Sequence, residues 1–172
     1  MIIAFLDARR LPFAVIAAGC AALLAYGFHL QFVQFQEPCP MCILQRYFYM
    51  LAMLFCLAGA VHGARGRARA VHAALVAAAS LGGGGVAARQ VWLQHLPPDR
   101  VPECGPGLDF MLQIYPWHEA ILKAFKGTGD CALVTWTFLG LSIAEWSLAC
   151  FALMAAAAIG VALRSRGAAR GP

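Results

Sequence analysis

Charge is what this chain has least of. Asp, Glu, Lys and Arg make up only 12% of its 172 residues, against about 25% in an ordinary soluble domain. With 62% hydrophobic residues and a mean hydropathy of +0.71, that shortage excludes a water-soluble globule and points to a membrane protein. Acids are scarcer than bases, 8 against 13, giving a net charge of +5. The bases stand at the ends of apolar runs, so the excess signals topology and not a nucleic-acid surface. No second closely spaced cysteine pair accompanies the one at Cys39 and Cys42, and the histidines do not cluster; neither pattern describes a metal site.

What is present in quantity is apolar sequence. A helix needs about 20 mostly apolar residues to cross the hydrocarbon core, and such runs occur at about Leu11 to Phe32, Ile43 to His62, Val71 to Leu93 and Ile143 to Leu163. The first resembles a lipoprotein signal only weakly. Ala17 stands where a large aliphatic residue is usual and the run continues past Cys20 to Phe32, so it is expected to remain a span.

The expected architecture is an all-α membrane protein, a single domain over residues 1–172 built as a four-transmembrane-helix bundle. Arg9 and Arg10, then Arg65, Arg67 and Arg69, then Arg164, Arg166 and Arg170 all fall on one side of an even number of spans. The positive-inside rule makes that side the cytoplasm, with both termini there. Asp7 is then the only cytoplasmic acid. The link at about 63–70 is cytoplasmic, and the loops at about 33–42 and 94–142 lie outside.

The outer loops carry the chemistry. The second is far longer than most connections, and long loops tend to be functional or disordered. Trp92, Tyr115, Trp117, Trp136 and Trp146 fit an interfacial aromatic belt. Trp117, Ile121, Leu122 and Phe125 recur at helical spacing, predicting a short interfacial helix. Ser142 followed by Glu145 reads as a capping box that starts the last span.

Cys20, Cys56 and Cys150 fall inside apolar runs, where a thiol packs as a small apolar group. Cys39, Cys42, Cys104 and Cys131 lie in the outer loops. Outside the cytoplasm they are expected to pair, and the Cys-x-x-Cys spacing favours Cys39 with Cys42, leaving Cys104 with Cys131. A bridge closing so small a loop removes little chain entropy and is a poor staple. Fast thiol exchange is the better use of that spacing.

These residues resemble a known family. Pro38-Cys39-Pro40-Met41-Cys42-Ile43-Leu44-Gln45-Arg46 is similar to the first periplasmic motif of the disulfide bond formation protein B (DsbB) family. Gly129-Asp130-Cys131-Ala132 through Trp136, Phe138 to Leu141 and Trp146 resembles its second, and Arg89 to Gln94 resembles the end of its third helix. The resemblance implies an enzyme of the bacterial inner membrane, a protein dithiol:quinone oxidoreductase. Its expected partner is a periplasmic thioredoxin-fold disulfide oxidase (DsbA-like), and its acceptor a quinone, ubiquinone or menaquinone. It also implies that Cys104 takes the partner's attack with Cys131 as companion. Cys131 then attacks the Cys39/Cys42 disulfide, Cys42 meets the quinone, and Arg46 matches the quinone-site arginine. This chain departs at Gly105-Pro106-Gly107, where the loop after Cys104 differs.

The residues give their own support. Cys42 and Arg46 are four apart, hence on one helix face. Opposite charges there attract by about 4 kcal/mol gross at about 4 Å and an effective dielectric of about 20. The plainer reading of Arg46 is snorkelling to the headgroups. Gly82 to Gly85 suits close helix packing or approach by a flat ring, and Arg89 suits either the quinone site or an interfacial anchor. Two rivals stand beside the oxidase: a quinone reductase similar to vitamin K epoxide reductase, and a scaffold whose disulfides merely brace the loop.

Overall fold

The computed structural model describes residues 10–168; Asp7, Arg9 and Arg170 lie outside them. Among the described residues, four helices are long and apolar enough to cross a membrane: α1 (Leu11–Phe32), α2 (Pro40–Val61), α3 (Gly66–Gln94) and, after three shorter helices, α7 (Ile143–Ala168). The bundle buries some large side chains, Phe13 and Phe151 among them, beside many small ones. Its interior is lined by small residues such as Ala52, Ala60, Ala73, Ala79 and Ala87, whereas Val15, Leu54, Leu81, Leu153 and Leu163 face outward. Small residues let helices approach, and large apolar ones suit lipid.

The glycine run shows this directly. A Cβ on Gly82 would sit 2.6 Å from the Phe48 ring, and one on Gly83 would overlap Phe151. Phe151 in turn stacks on Tyr49 with centroids 4.1 Å apart. These glycines therefore seat aromatic rings of α2 and α7 against α3.

Two spans begin earlier than the apolar runs suggest. α2 starts at Pro40, with Cys39 as N-cap, and not at Ile43. Proline at the first helical position costs nothing there, because its missing N–H would have no partner, and its fixed φ suits the helix. α3 starts at Gly66, so the link expected at 63–70 is shorter, and Arg67 and Arg69 belong to the helix.

The long connection from α3 to α7 is ordered. It holds a 3-10 turn (Pro98–Arg100), α4 (Leu108–Ile114), α5 (Trp117–Lys126), the one-turn α6 (Gly129–Ala132) and a hairpin of β1 (Thr137–Phe138) with β2 (Leu141–Ser142). α5 buries Ala120 and Ala124 and leaves Trp117, Ile121, Leu122 and Phe125 exposed on one side, as an interfacial helix would.

The capping box forms as read. Ser142 N donates to Glu145 Oε2 at 2.7 Å, and Glu145 N donates to Ser142 Oγ at 3.3 Å. Ser142 Oγ also donates to Gln94 Oε1 at 2.8 Å, tying the start of α7 to the end of α3. Ser142→Ala is expected to cost about 0.5 to 2 kcal/mol, the range for losing an N-cap. Thermal unfolding in detergent should show a lower midpoint; an unchanged one would mean the cap contributes nothing.

Candidate functional site

Local rules bring the first two cysteines together. With Cys39 at the N-cap and Pro40 opening the helix, the first turn of α2 lays Cys42 back over Cys39: the sulfurs are 3.0 Å apart, and Cys42 N donates to Cys39 Sγ at 3.4 Å. The unpaired amides and dipole of a helix N-terminus favour negative charge there. All seven cysteines are free thiols here.

Cys131 comes from far along the chain. It sits on α6, buried in a cluster with Met41, Leu44, Val86, Leu93 and Ala124. The Cys39 thiol donates to it, which together with amides of Met41 and Thr128 and the Thr128 hydroxyl brings the Cys131 thiol down to about 6, against the opposing effect of burial. The same contact, with that to Cys42, holds Cys39 as a thiol well above the usual range. A low-pKa thiol is both a ready nucleophile near neutrality and a good leaving group.

Cys104 is different: it is exposed. Its loop is fastened to α6 by Gly129 N donating to Glu103 O at 3.0 Å. Gly129 is required there, since a Cβ would stand 2.6 Å from Pro102 O and 3.2 Å from Cys104 Sγ. The Asp130 carboxylate accepts from the Cys104 thiol and, by that bond and its charge, raises the Cys104 pKa. Asp130→Asn should remove the charge, so the rate of Cys104 alkylation against pH should move to lower pH. An unmoved profile would show that Asp130 does not hold the proton on Cys104.

Behind Cys42 is a cavity of about 1080 Å³. Leu23, Tyr26 and Leu30 of α1 and Trp136, Phe138 and Trp146 of the hairpin and α7 form its apolar walls, while Cys39, Cys42, Arg46 and Gln90 supply the polar end. Arg46 is held on the α1 side: it donates to Gln31 Oε1, to Gly27 O at 2.9 Å, and lies 5.1 Å over the Phe28 ring. Trp146 Nε1 donates to Phe138 O at 3.0 Å, fixing the hairpin at the cavity wall.

Arg89 is elsewhere. It donates to Lys126 O at 3.1 Å and stacks 4.1 Å over Trp92, anchoring the end of α5, and it is not among the cavity residues. Two residues not anticipated from the sequence stand beside the sulfurs. Gln90 Nε2 donates to Cys42 Sγ at 3.3 Å and to Cys39 Sγ at 3.4 Å, and Gln45 Nε2 donates to Gln90 Oε1 at 2.7 Å. Both side chains are buried. A polar residue inside a predicted span was the available signal.

Comparison with known proteins adds to this geometry. The sequence profile of the family described as disulfide bond formation protein DsbB matches residues 9–161. Among curated relatives, disulfide bond formation protein B of Azoarcus sp. (strain BH72) is 49% identical over 151 residues, covering 88% of this chain and 90% of the relative. That of Aromatoleum aromaticum is 46% identical over 163 residues, covering 95% and 98%. Disulfide bond formation protein B 1 of Pseudomonas aeruginosa is 45% identical over 146 residues, covering 85% and 90%.

Proposed function

Because the chain belongs to the disulfide bond formation protein B family, a membrane-embedded oxidoreductase of disulfide formation, we propose that it oxidises a periplasmic thioredoxin-fold dithiol and passes the electrons to a membrane quinone. The observation that carries this reading is the run of sulfurs from Cys131 through Cys39 to Cys42, ending on the cavity beside Gln90 and Arg46.

The exchange steps follow from the thiols. In the oxidised enzyme, a partner thiolate attacks Cys104, the Cys104–Cys131 bond breaks, and Cys131 leaves as the thiolate, which the amides of Met41 and Thr128 and the Thr128 hydroxyl stabilise. The partner's second thiolate then attacks its own bonded sulfur, forming the partner disulfide and releasing Cys104. Cys131 attacks Cys39, and Cys42 leaves bearing the negative charge. Attack by Cys104 on Cys131 restores that disulfide and leaves Cys39 and Cys42 as the dithiol. Each cycle moves two electrons and two protons off the partner.

The cavity suits a quinone. Its volume is slightly above the usual span of small-molecule sites, about 300 to 1,000 Å³, and its apolar walls fit an isoprenoid tail while Arg46 offers donors for a ring oxygen. A bound quinone supplies the acceptor of those two electrons and two protons, so that the Cys39–Cys42 disulfide is restored. The chain's part is to hold the ring against Cys42, keep bulk water from the sulfurs, and balance negative charge with Arg46. The arginine-bearing end of the bundle would face the cytoplasm and the cysteine end the periplasm.

Anaerobic mixing of the protein with a reduced thioredoxin-fold dithiol oxidase and a quinone tests this. Loss of quinone absorbance with matching oxidation of the partner is expected. No turnover, or net reduction of the partner by quinol under poised conditions, would overturn it.

A further inference from the structure

The sulfurs' nearest side-chain donor is not the arginine. Both Arg46 bonds go to α1, to Gln31 and Gly27 O, whereas the Gln90 amide donates to Cys42 and Cys39 at 3.3 and 3.4 Å. An isolated glutamine can present either its oxygen or its nitrogen to a neighbour. Here Gln45 Nε2 donates to the Gln90 oxygen at 2.7 Å, an oxygen that the Cys42 thiol also approaches at 3.8 Å, and the Gln90 nitrogen is turned to the sulfurs. Only 3% of each glutamine is exposed, and burial of two carboxamides in an apolar bundle is costly unless they are paired and used.

We propose that Gln90 is a catalytic hydrogen-bond donor that holds negative charge on Cys42 when the Cys39/Cys42 pair is reduced, and that Gln45 is the positioning residue that sets its orientation. This rests on the electron-transfer reading above and adds to it a neutral device. A donor amide stabilises a thiolate without a second buried cation, whose desolvation would oppose it. It also acts on the reduced pair selectively, because a disulfide sulfur carries no charge for the amide to stabilise. The reduced form is thereby favoured, and the pair becomes a stronger oxidant toward Cys131.

Replacement of Gln90 by methionine keeps the length and removes the donor. In glutathione redox buffer, Gln90→Met should move the Cys39/Cys42 equilibrium toward the disulfide by about tenfold, as for a lost hydrogen bond to a charged group, which for a two-electron couple is about 30 mV. Peptide-resolved alkylation of Cys42 at neutral pH should slow by a similar factor. Gln90→Glu, which keeps the shape and the Gln45 contact, should shift the equilibrium the same way and serves if the methionine variant does not fold. Gln45→Met should give a smaller shift, and none beyond that of Gln90→Met when the two are combined. An unshifted equilibrium in the folded Gln90 variant overturns the proposal, and full additivity of the pair overturns the role of Gln45. Neither readout uses quinone, so failure of the unmodified protein to reduce quinone would sink the acceptor reading and leave this one standing.

Discussion

Replacing Cys131 by alanine is expected to abolish delivery of electrons to Cys39 and Cys42, lowering partner-dependent quinone reduction by on the order of a thousandfold or more, the scale for losing a nucleophile in covalent catalysis. The reason is positional. Cys131 is the sulfur that both belongs to the loop fastened to Cys104 and lies in the cluster against which Cys39 packs. Cys104, exposed and held protonated by Asp130, has no such contact with the α2 pair. With Cys131 gone and the second cysteine of the partner replaced by serine, a mixed disulfide supplied between Cys104 and the partner should be long-lived, because no second thiol stands ready to attack it. The complex should be visible on a non-reducing gel and vanish with dithiothreitol. Cys104→Ala should prevent the complex. Its recovery through Cys131 in that variant would reverse the assignment.

Arg46→Ala is expected to raise the Michaelis constant for quinone by about ten- to hundredfold, the cost of one or two hydrogen bonds to a polar or charged group. Exchange between Cys104 and the partner should persist, since Arg46 lies on the α1 side of the cavity, away from the α6 loop. The guanidinium spans Gln31 and the Gly27 carbonyl while facing the cavity, a planar arrangement of donors that an ammonium does not reproduce. Arg46→Lys should therefore recover only part of the affinity. A plain anchor between α1 and α2 predicts something else: a lower melting midpoint with the Michaelis constant unchanged. Measuring both in the same variant decides between the two roles.

Much of the architecture was readable because its causes are local. Four long apolar runs need a membrane wherever their partners lie, and the observed helices differ from them mainly at their starts. The Ser142 and Glu145 pairing needs only the first turn of α7, and it forms as the spacing predicts. The earlier start of α2 was also written locally, in Pro40, but hydropathy runs do not register a residue that opens a helix without being strongly apolar. That shift matters, because it makes Cys39 the N-cap and gives Cys42 a place in the first helical turn above it.

Other features depend on how helices are rotated against one another. Gln45 and Gln90 lie in different apolar runs, and nothing within either run says that their side chains meet, or that the second faces Cys42. Arg89 is one residue from Gln90 yet points to Trp92 and Lys126, because successive helical positions face about 100° apart and α5 returns over that side. The glycine run is seated against Phe48 and Phe151 for the same reason. By itself, the sequence determined the membrane class, the spans, the cap and the closeness of Cys39 to Cys42, all consequences of composition and contacts within a few residues. Tertiary structure alone decided that Cys131 meets Cys39, that Gln90 is the donor at the sulfurs, and that Arg46 and not Arg89 faces the cavity, since each is a meeting of side chains set by helix rotation and by the return path of the long loop.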